Sequence, residues 1–531
     1  MNVYLIGMIV SFVIYLVLGF LISLKVKNAN DYYVAGRRAP VFLIVGSMIA
    51  SYVSTGLFMG DAAEFYSGIF SPMMILCTMQ VVGYIIGAVF IGRYLRRSEV
   101  LTIPQFFGKR FNSKPMRVLS TSTAIIMMSV YLLSVVMGIG TLMNAVTGLD
   151  YRICVVLGVA VFTIVTLVAG SRGVLITDTL MFSVFTSALI VSAFVIVAKA
   201  GGWVEVINNL VGTGKADYLS WGGREGYMYS APMNLVWGFI QGILWMSVCM
   251  TGPWQSSRYL MAKNEHVVIR SSIFSALGVF LMELLVGVAC ISLNKFLPTT
   301  EAINGDTSRV MIWAATNNGI LPTILGVILL TGVLAAGISS GTTFLSLIGS
   351  SIANDAFEGK GNSIRVGKIS MLIVAVIVCL LGVFNPPQIF WVLYFGGAIV
   401  ASSWMPVSIA SIVSKRVTKV GAFAGMATGF LVCFVLKLVF NLGNISYPAY
   451  LDPTLLGIVA NIIAMIIGSA VTKVTEEEKE VREKMFIVPE SEKDPKEIKK
   501  TKWYLFGGIC LGAVITITLI FVWVVPYFSA V

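Results

Sequence analysis

Between Thr331 and Ser346 the chain reads Thr-Gly-Val-Leu-Ala-Ala-Gly-Ile-Ser-Ser-Gly-Thr-Thr-Phe-Leu-Ser, midway along an apolar run from Leu321 to Ile352. Ala336, Ser339, Ser340, Thr342 and Thr343 put small and hydroxyl side chains into two helical turns. A second such stretch is Gly46-Ser-Met-Ile-Ala-Ser-Tyr-Val-Ser-Thr-Gly56. Uncharged oxygens grouped in this way can replace part of the hydration shell of a hard cation. The same residues also suit a close helix–helix contact, with hydroxyls bonding back to their own helices. Gly56 and its three neighbouring hydroxyls weaken a helix. An unwound segment is therefore expected there, which a membrane tolerates only around a cavity or ion.

Four acids fall in or beside apolar runs. Asp61 and Glu64 follow the second stretch, Asp178 sits in Thr177-Asp-Thr179, and Glu283 lies near the middle of its run. Intramembrane carboxylates are costly and mark substrate or ion paths. Glu64 can instead reach the outer interface, and Asp178 can serve the N-terminal dipole of its helix. Asp61 can hold a cationic amine, with Tyr52 or Trp254 offering cation–π contact. Gln241, Trp245 and Trp254 share one run, which Pro253 should kink. Trp391, Tyr394 and Phe395 suit packing or ligand contact, and His266 takes no role.

The elements that must position these residues are membrane spans. The chain has 531 residues, 57% hydrophobic and 12% charged, against about 25% charged in soluble domains. Repeated long apolar runs give an all-α polytopic membrane protein, since helices satisfy their own backbone in lipid and these runs are too continuous for barrel strands. Fourteen spans are expected, at about 3–24, 41–66, 72–92, 118–146, 153–170, 174–198, 232–257, 269–293, 321–352, 366–384, 388–413, 420–440, 454–472 and 503–527. The first reads as a retained span rather than a signal peptide.

With both termini outside, the alternate cytoplasmic loops hold 30 Lys and Arg and the outer ones hold 6. This asymmetry sets the orientation and accounts for the net charge of +12, so nucleic acid is not the expected partner; the lipid bilayer is. The seven cysteines have no paired spacing and read as packing residues. The basic loop 25–38 ends in Asp31-Tyr-Tyr-Val-Ala-Gly-Arg-Arg38, and the loop 93–117 reads as an interfacial anchor. Ser171-Arg172-Gly173 forces a tight hairpin, the outer loop 199–231 should carry short interfacial helices, and 473–502 reads as a solvated cytoplasmic helix or linker.

Ala335-Ala-Gly-Ile-Ser-Ser340 followed by Asp355, together with Ala50-Ser-Tyr-Val-Ser-Thr-Gly56, resembles the core of the sodium:solute symporter family. So do Thr177-Asp-Thr179, Thr102-Ile-Pro-Gln-Phe106 with Arg110-Phe111, and Pro253 with Arg258-Tyr259, all in order along the chain. The resemblance implies a LeuT-like inverted repeat of five plus five helices, here 41–198 and 232–413. The segment 1–40 stands in front and accessory helices 414–531 behind.

It also implies that sodium, the co-transported ion, binds the carbonyls of Ala50, Val53 and Ala336 and the hydroxyls of Ser339 and Ser340. Asp178, Thr342 and Thr343 fall where some members hold or release a second sodium. Ser51, Tyr52, Ser54, Trp245, Pro253 and Trp254 fall near the solute, joined here by Asp61, which the family does not generally carry. Leu57 stands where sugar carriers have a polar residue, and Ala169-Gly170 where paired glycines are usual.

The expected function is sodium-coupled symport of a small organic solute, an amino acid, carboxylate or amine, by alternating access. Coupling to protons through Asp61, Asp178 or Glu283, or a transporter-like sensor, are the alternatives. A channel lacks charge rings, and an enzyme lacks a convergent catalytic cluster.

Overall fold

The computed structural model describes residues 3–23, 34–356, 363–384 and 389–531. Residues 24–33 of the first basic loop, with Asp31 to Tyr33, lie outside the described residues, as do the side chains from Ala169 to Gly173. The leading helix is α1 (Val3–Ser23). There follow α2 (Val41–Tyr52), α3 (Gly56–Ser67), α4 (Phe70–Ser98), α5 (Ile103–Arg110), α6 (Lys114–Thr147), α7 (Tyr151–Val168) and α8 (Val174–Lys199). The outer loop carries α9 (Trp203–Gly212). Next come α10 (Ala231–Thr251), α11 (Pro253–Met261), α12 (Glu265–Leu293), α13 (Val310–Thr316) and α14 (Thr323–Ala356). The chain closes with α15 (Ser363–Phe384), α16 (Ile389–Val413), α17 (Lys419–Leu442), α18 (Pro453–Ala470), α19 (Glu476–Phe486) and α20 (Pro495–Ala530).

Among the described residues twelve helices are long and apolar enough to cross a bilayer, or thirteen with α2 and α3 taken as one bent span. The leading helix α1 is apolar along its 21 residues.

Two spans are broken. The ladder of α2 ends where the Val53 N–H donates to the Ile49 carbonyl at 2.7 Å, and Val53 takes a non-helical ψ of 88°. Ser54 Oγ accepts the Gly56 N–H at 3.1 Å, so a side chain competes for the bond that would have continued the helix. The axis turns by 46° and resumes as a π-helical stretch, Gly56–Asp61. The second break separates α10 from α11 at Gly252, whose ψ is 132°. The expected kink at Pro253 is thus a full interruption: proline disfavours helix at the residue before it and starts the next helix at its first turn. The breaks fall in the first span of each expected five-span half, the arrangement that frames a midplane site in inverted-repeat carriers.

Between α7 and α8 the chain doubles back. Phe162 of α7 packs on Gly341 of α14, and Phe185 of α8 packs on Gly332. A straight helix would set the two phenylalanines about 34 Å apart, whereas Gly332 and Gly341 are separated by about 14 Å of helix. With α7 and α8 against it on one side and α2 on another, α14 forms the centre of the bundle.

The two charged segments expected to be cytoplasmic surface features both make contacts with the bundle. Arg110 of α5 is 2% exposed and donates to the Ser411 carbonyl at 2.6 Å, while Phe107 meets Trp404. Bundle side chains therefore cover the apolar face that would have entered lipid. The 473–502 segment docks as well. Glu478 is buried and accepts from the Lys419 N–H at 2.7 Å, and Arg482 donates to the Ile412 carbonyl. Glu478 and Arg482 meet backbone groups at helix ends, while Glu476, Lys479, Glu480 and Lys484 stay exposed to water. His266 is buried beside this segment, bonded to Thr501 and to the Glu492 carbonyl. Tyr4 of α1 bonds the Ala315 carbonyl of α13, and Trp523 of α20 meets Phe70 beside Trp203 of α9, so the two ends of the chain lie against the loops that carry α13 and α9.

Candidate functional site

Ala50, Val53, Ala336, Ser339 and Ser340 are all buried, none more than 1% exposed. They sit where the break after α2 meets the small-residue face of α14. Contact there is close, for a Cβ on Gly337 would lie 3.1 Å from the Thr55 methyl carbon. Glycine at 337 lets the two segments approach. The Ser340 hydroxyl is fully enclosed with no hydrogen-bond partner, and so is Thr55 Oγ1. Buried hydroxyls are nearly always satisfied, so these two, without a partner among the described residues, are open to a bound ligand.

Next to it lies a hub that the residue pattern did not announce. Asp178 Oδ1 accepts from the Ser339 hydroxyl at 2.5 Å, and Oδ2 accepts from the Ser47 hydroxyl at 2.6 Å. Arg258 Nη2 lies 3.2 Å from the same oxygen and 2.9 Å from Thr343 Oγ1. Its remaining donors go to Ser47, Ser257 and the Trp254 carbonyl. Thr342 bonds back to the Ser339 carbonyl at 2.7 Å. Asp178, Thr342 and Thr343 are therefore together, but with an arginine already among them. The break at Gly252 explains how: α11 starts afresh there and turns Arg258 inward.

The expected solute residues divide. Ser51 bonds back to the Met48 carbonyl at 3.1 Å. Tyr52 shares its hydroxyl proton between Gln80 Oε1 and Glu283 Oε1, the latter at 3.0 Å. Trp245 meets Tyr52 edge-on at 5.4 Å between ring centres and meets Tyr394 at 5.5 Å. Asp61, 4% exposed, belongs to this group, close enough for its charge to act on Tyr52 and Tyr394. Trp254 does not contact it: its ring lies against Tyr131 and Phe344, and its carbonyl serves Arg258. Pro253 is buried at the start of α11 and contributes the break itself.

Sequence reasoning missed Gln80 and Tyr131, which carry no local motif, and it included Ser47 and Thr55 only as part of the hydroxyl-rich stretch. It quoted Arg258 without giving it a role. At the far end of α14 Asp355 accepts from the Thr102 hydroxyl at 2.7 Å and pairs with Arg117 at 3.4 Å, tying α14 to α6.

Comparison with known proteins finds relatives along most of the chain. The chain is 27% identical over 502 residues to a sodium/proline symporter of Salmonella typhimurium, covering 88% of this chain and 95% of that one. It is 24% identical over 494 residues to the osmoregulated proline transporter OpuE of Bacillus subtilis, covering 87% and 94%. Among solved structures, a Na+-coupled sialic acid symporter in a substrate-bound outward-open state is similar, with a TM-score of 0.72, 16% identity and coverage of 90% and 99%. Mhp1, a nucleobase-cation-symport-1 family transporter in a closed conformation, has a TM-score of 0.52, 14% identity and coverage of 86% and 99%. These likenesses establish the fold. The sodium:solute symporter family matches over residues 32–429, and the chain is a member of that family, a sodium-coupled solute symporter.

Proposed function

We propose that the protein imports a small organic solute by alternating access. One sodium ion would be held by the carbonyls of Ala50, Val53 and Ala336 and the hydroxyls of Ser339 and Ser340. The observation that carries this reading is the partnerless Ser340 hydroxyl, enclosed where α14 meets the break after α2. Sodium bound there ties the two segments together and favours the shape that completes the solute site around Ser54, Tyr52, Asp61 and Trp245. Sodium and solute then tighten each other's binding by the same factor.

A charge moving inward through 100 mV supplies about 2.3 kcal/mol, and a tenfold gradient adds about 1.4 kcal/mol. One ion thus supports several-hundredfold accumulation. A second ion at Asp178, Thr342 and Thr343 would require Arg258 to withdraw from Thr343. The inverted-repeat halves 41–198 and 232–413 and both termini outside the cell membrane belong to the same reading. They are supported by the placing of the two breaks and by the basic cytoplasmic loops. Uptake of labelled solute into proteoliposomes, with and without an imposed sodium gradient, tests it. Uptake indifferent to the gradient would remove the coupling.

Proton coupling is the second reading, favoured by the two buried acids Asp61 and Glu283. Uptake driven by a pH gradient without sodium would select it.

A further inference from the structure

Beyond the sodium ligands, the core holds a second polar cluster whose charge is unbalanced. Asp61, Glu64 and Glu283 are all buried, at 4%, 5% and 0% exposed. None is in an ion pair among the described residues, whereas the equally buried Asp178 has Arg258. Glu283 Oε1 receives the Tyr52 hydroxyl at 3.0 Å and Gln80 Nε2 at 3.5 Å, and its Oε2 receives nothing. Asp61 Oδ1 and Glu64 Oε2 are also enclosed without a partner. Asp61 and Glu283 act on each other's charge across the cluster, and Glu64, one turn further out, faces Tyr227 of the outer loop.

The walls around these acids are aromatic. Tyr52, Trp245 and Tyr394 meet edge to face at 5.4 and 5.5 Å. Trp245 Nε1 and the Tyr394 hydroxyl face each other without forming an aligned hydrogen bond, and Gln241 Oε1 is buried and partnerless. Two turns further out on α10, Trp237 stacks on Tyr394, which stacks on Phe390 with 4.1 Å between ring centres. Trp237 is also a wall of an outer cavity of about 420 Å³ with Trp391, Tyr229 and Asp452. An aromatic column therefore leads from the outer cavity to the two acids, with the Trp237–Phe390–Tyr394 stack as the floor between them.

We infer that the solute is a net-cationic amine, its ammonium group taken between Asp61 and Glu283 and its carbon body lying against Tyr52, Trp245 and Tyr394. This deepens the symport reading and rests on it. Two carboxyl groups in a water-poor core stay charged only beside a positive partner, and aromatic faces stabilise an ammonium that has shed its water. The column's partnerless acceptors, Gln241 Oε1 among them, suit a ligand rich in N–H donors. A zwitterion such as proline fits poorly: its ammonium answers one acid, while its own carboxylate adds a third negative charge. Among the described residues no lysine or arginine pairs with the cluster to receive that carboxylate.

The test uses purified full-length protein and its thermal midpoint in sodium buffer, with putrescine, butylamine and proline as probes. Both amines should raise the midpoint and proline should not. Asp61→Asn and Glu283→Gln should each raise the half-saturating putrescine concentration by about tenfold or more, the scale of one lost charge-assisted hydrogen bond. Stabilisation by proline alone, by none of the probes, or by putrescine equally in wild type and both variants would overturn the assignment. The sodium response without solute is read in the same assay, sodium against potassium, and it also checks that the variants are folded. Loss of that response with amine binding intact removes the ion site and spares the amine; the reverse spares the ion site alone.

Discussion

Arg258 Nη2 and Asp178 Oδ2 lie 3.2 Å apart in the protein interior, with side chains 2% and 0% exposed. The pair links α11, which begins after one helix break, to α8, and through Ser339 and Ser47 it reaches α14 and the helix before the other break. Removing one partner strands the other charge in the core, at a cost of about 3–5 kcal/mol. Removing both leaves only lost contacts. Arg258→Met and Asp178→Asn should therefore each lower the thermal midpoint strongly, and the double variant should lose much less than the sum of the two. Additive losses in a double-mutant cycle would mean that the two charges do not support each other.

The adjacent serines should respond differently. Ser339 donates to Asp178 at 2.5 Å, while Ser340 has no partner. In sodium-free buffer Ser339→Ala should cost about 1.5–3 kcal/mol, the range for a hydrogen bond to a charged group, and Ser340→Ala should cost much less. In transport both should raise the sodium concentration for half-maximal uptake. Equal thermal losses without sodium, or unchanged sodium dependence in Ser340→Ala, would contradict the assignment of that hydroxyl to the ion.

Much of this arrangement was legible in the residues. Gly56 with its neighbouring hydroxyls announced the break after Tyr52 because both features act locally, through entropy and competing hydrogen bonds. The small-residue face of α14 announced a close approach but not its partner. The Arg258–Asp178 pair was hidden because the two residues are 80 positions apart. Their meeting depends on how α11 leaves Gly252, which no local periodicity encodes. Docking of α5 was misread for a related reason. A basic amphipathic helix facing lipid and one facing a protein groove carry the same pattern, and only the bundle's shape decides between them.

Span packing makes its own prediction at Gly83. A Cβ there would lie 2.3 Å from the Met246 carbonyl oxygen and 2.8 Å from its Cα. The obstacle is backbone of the neighbouring helix, so no rotamer relieves it. Gly83→Ala should force α4 and α10 apart and destabilise the fold by about 1–3 kcal/mol, as overpacking does. Because α10 carries Trp245, solute affinity should fall with it. Thermal unfolding and solute titration of the variant check both, and an unaltered midpoint would mean that the two helices have room to separate.

The docked charged segment should tighten in acid. Glu492 accepts the Glu265 backbone N–H at 3.2 Å and lies 4.0 Å from His266. Burial, and after it the Glu265 charge, push the Glu492 carboxyl above its usual 4.5, outweighing the opposing pull of its backbone hydrogen bond, His266 and Arg96. An acid whose pKa is raised on docking favours the docked state when protonated. Its contribution is complete below the usual glutamate value and is lost as pH rises through the docked value. Hydrogen exchange along Ile487–Lys493 should therefore be slowest, relative to the intrinsic rate, at the acid end of the range. Glu492→Gln, which keeps an acceptor and carries no charge, should retain that protection at neutral pH and flatten its pH dependence. Protection that instead grows with pH in the wild type would mean that the charged carboxylate, paired with His266 or Arg96, is the form that docks.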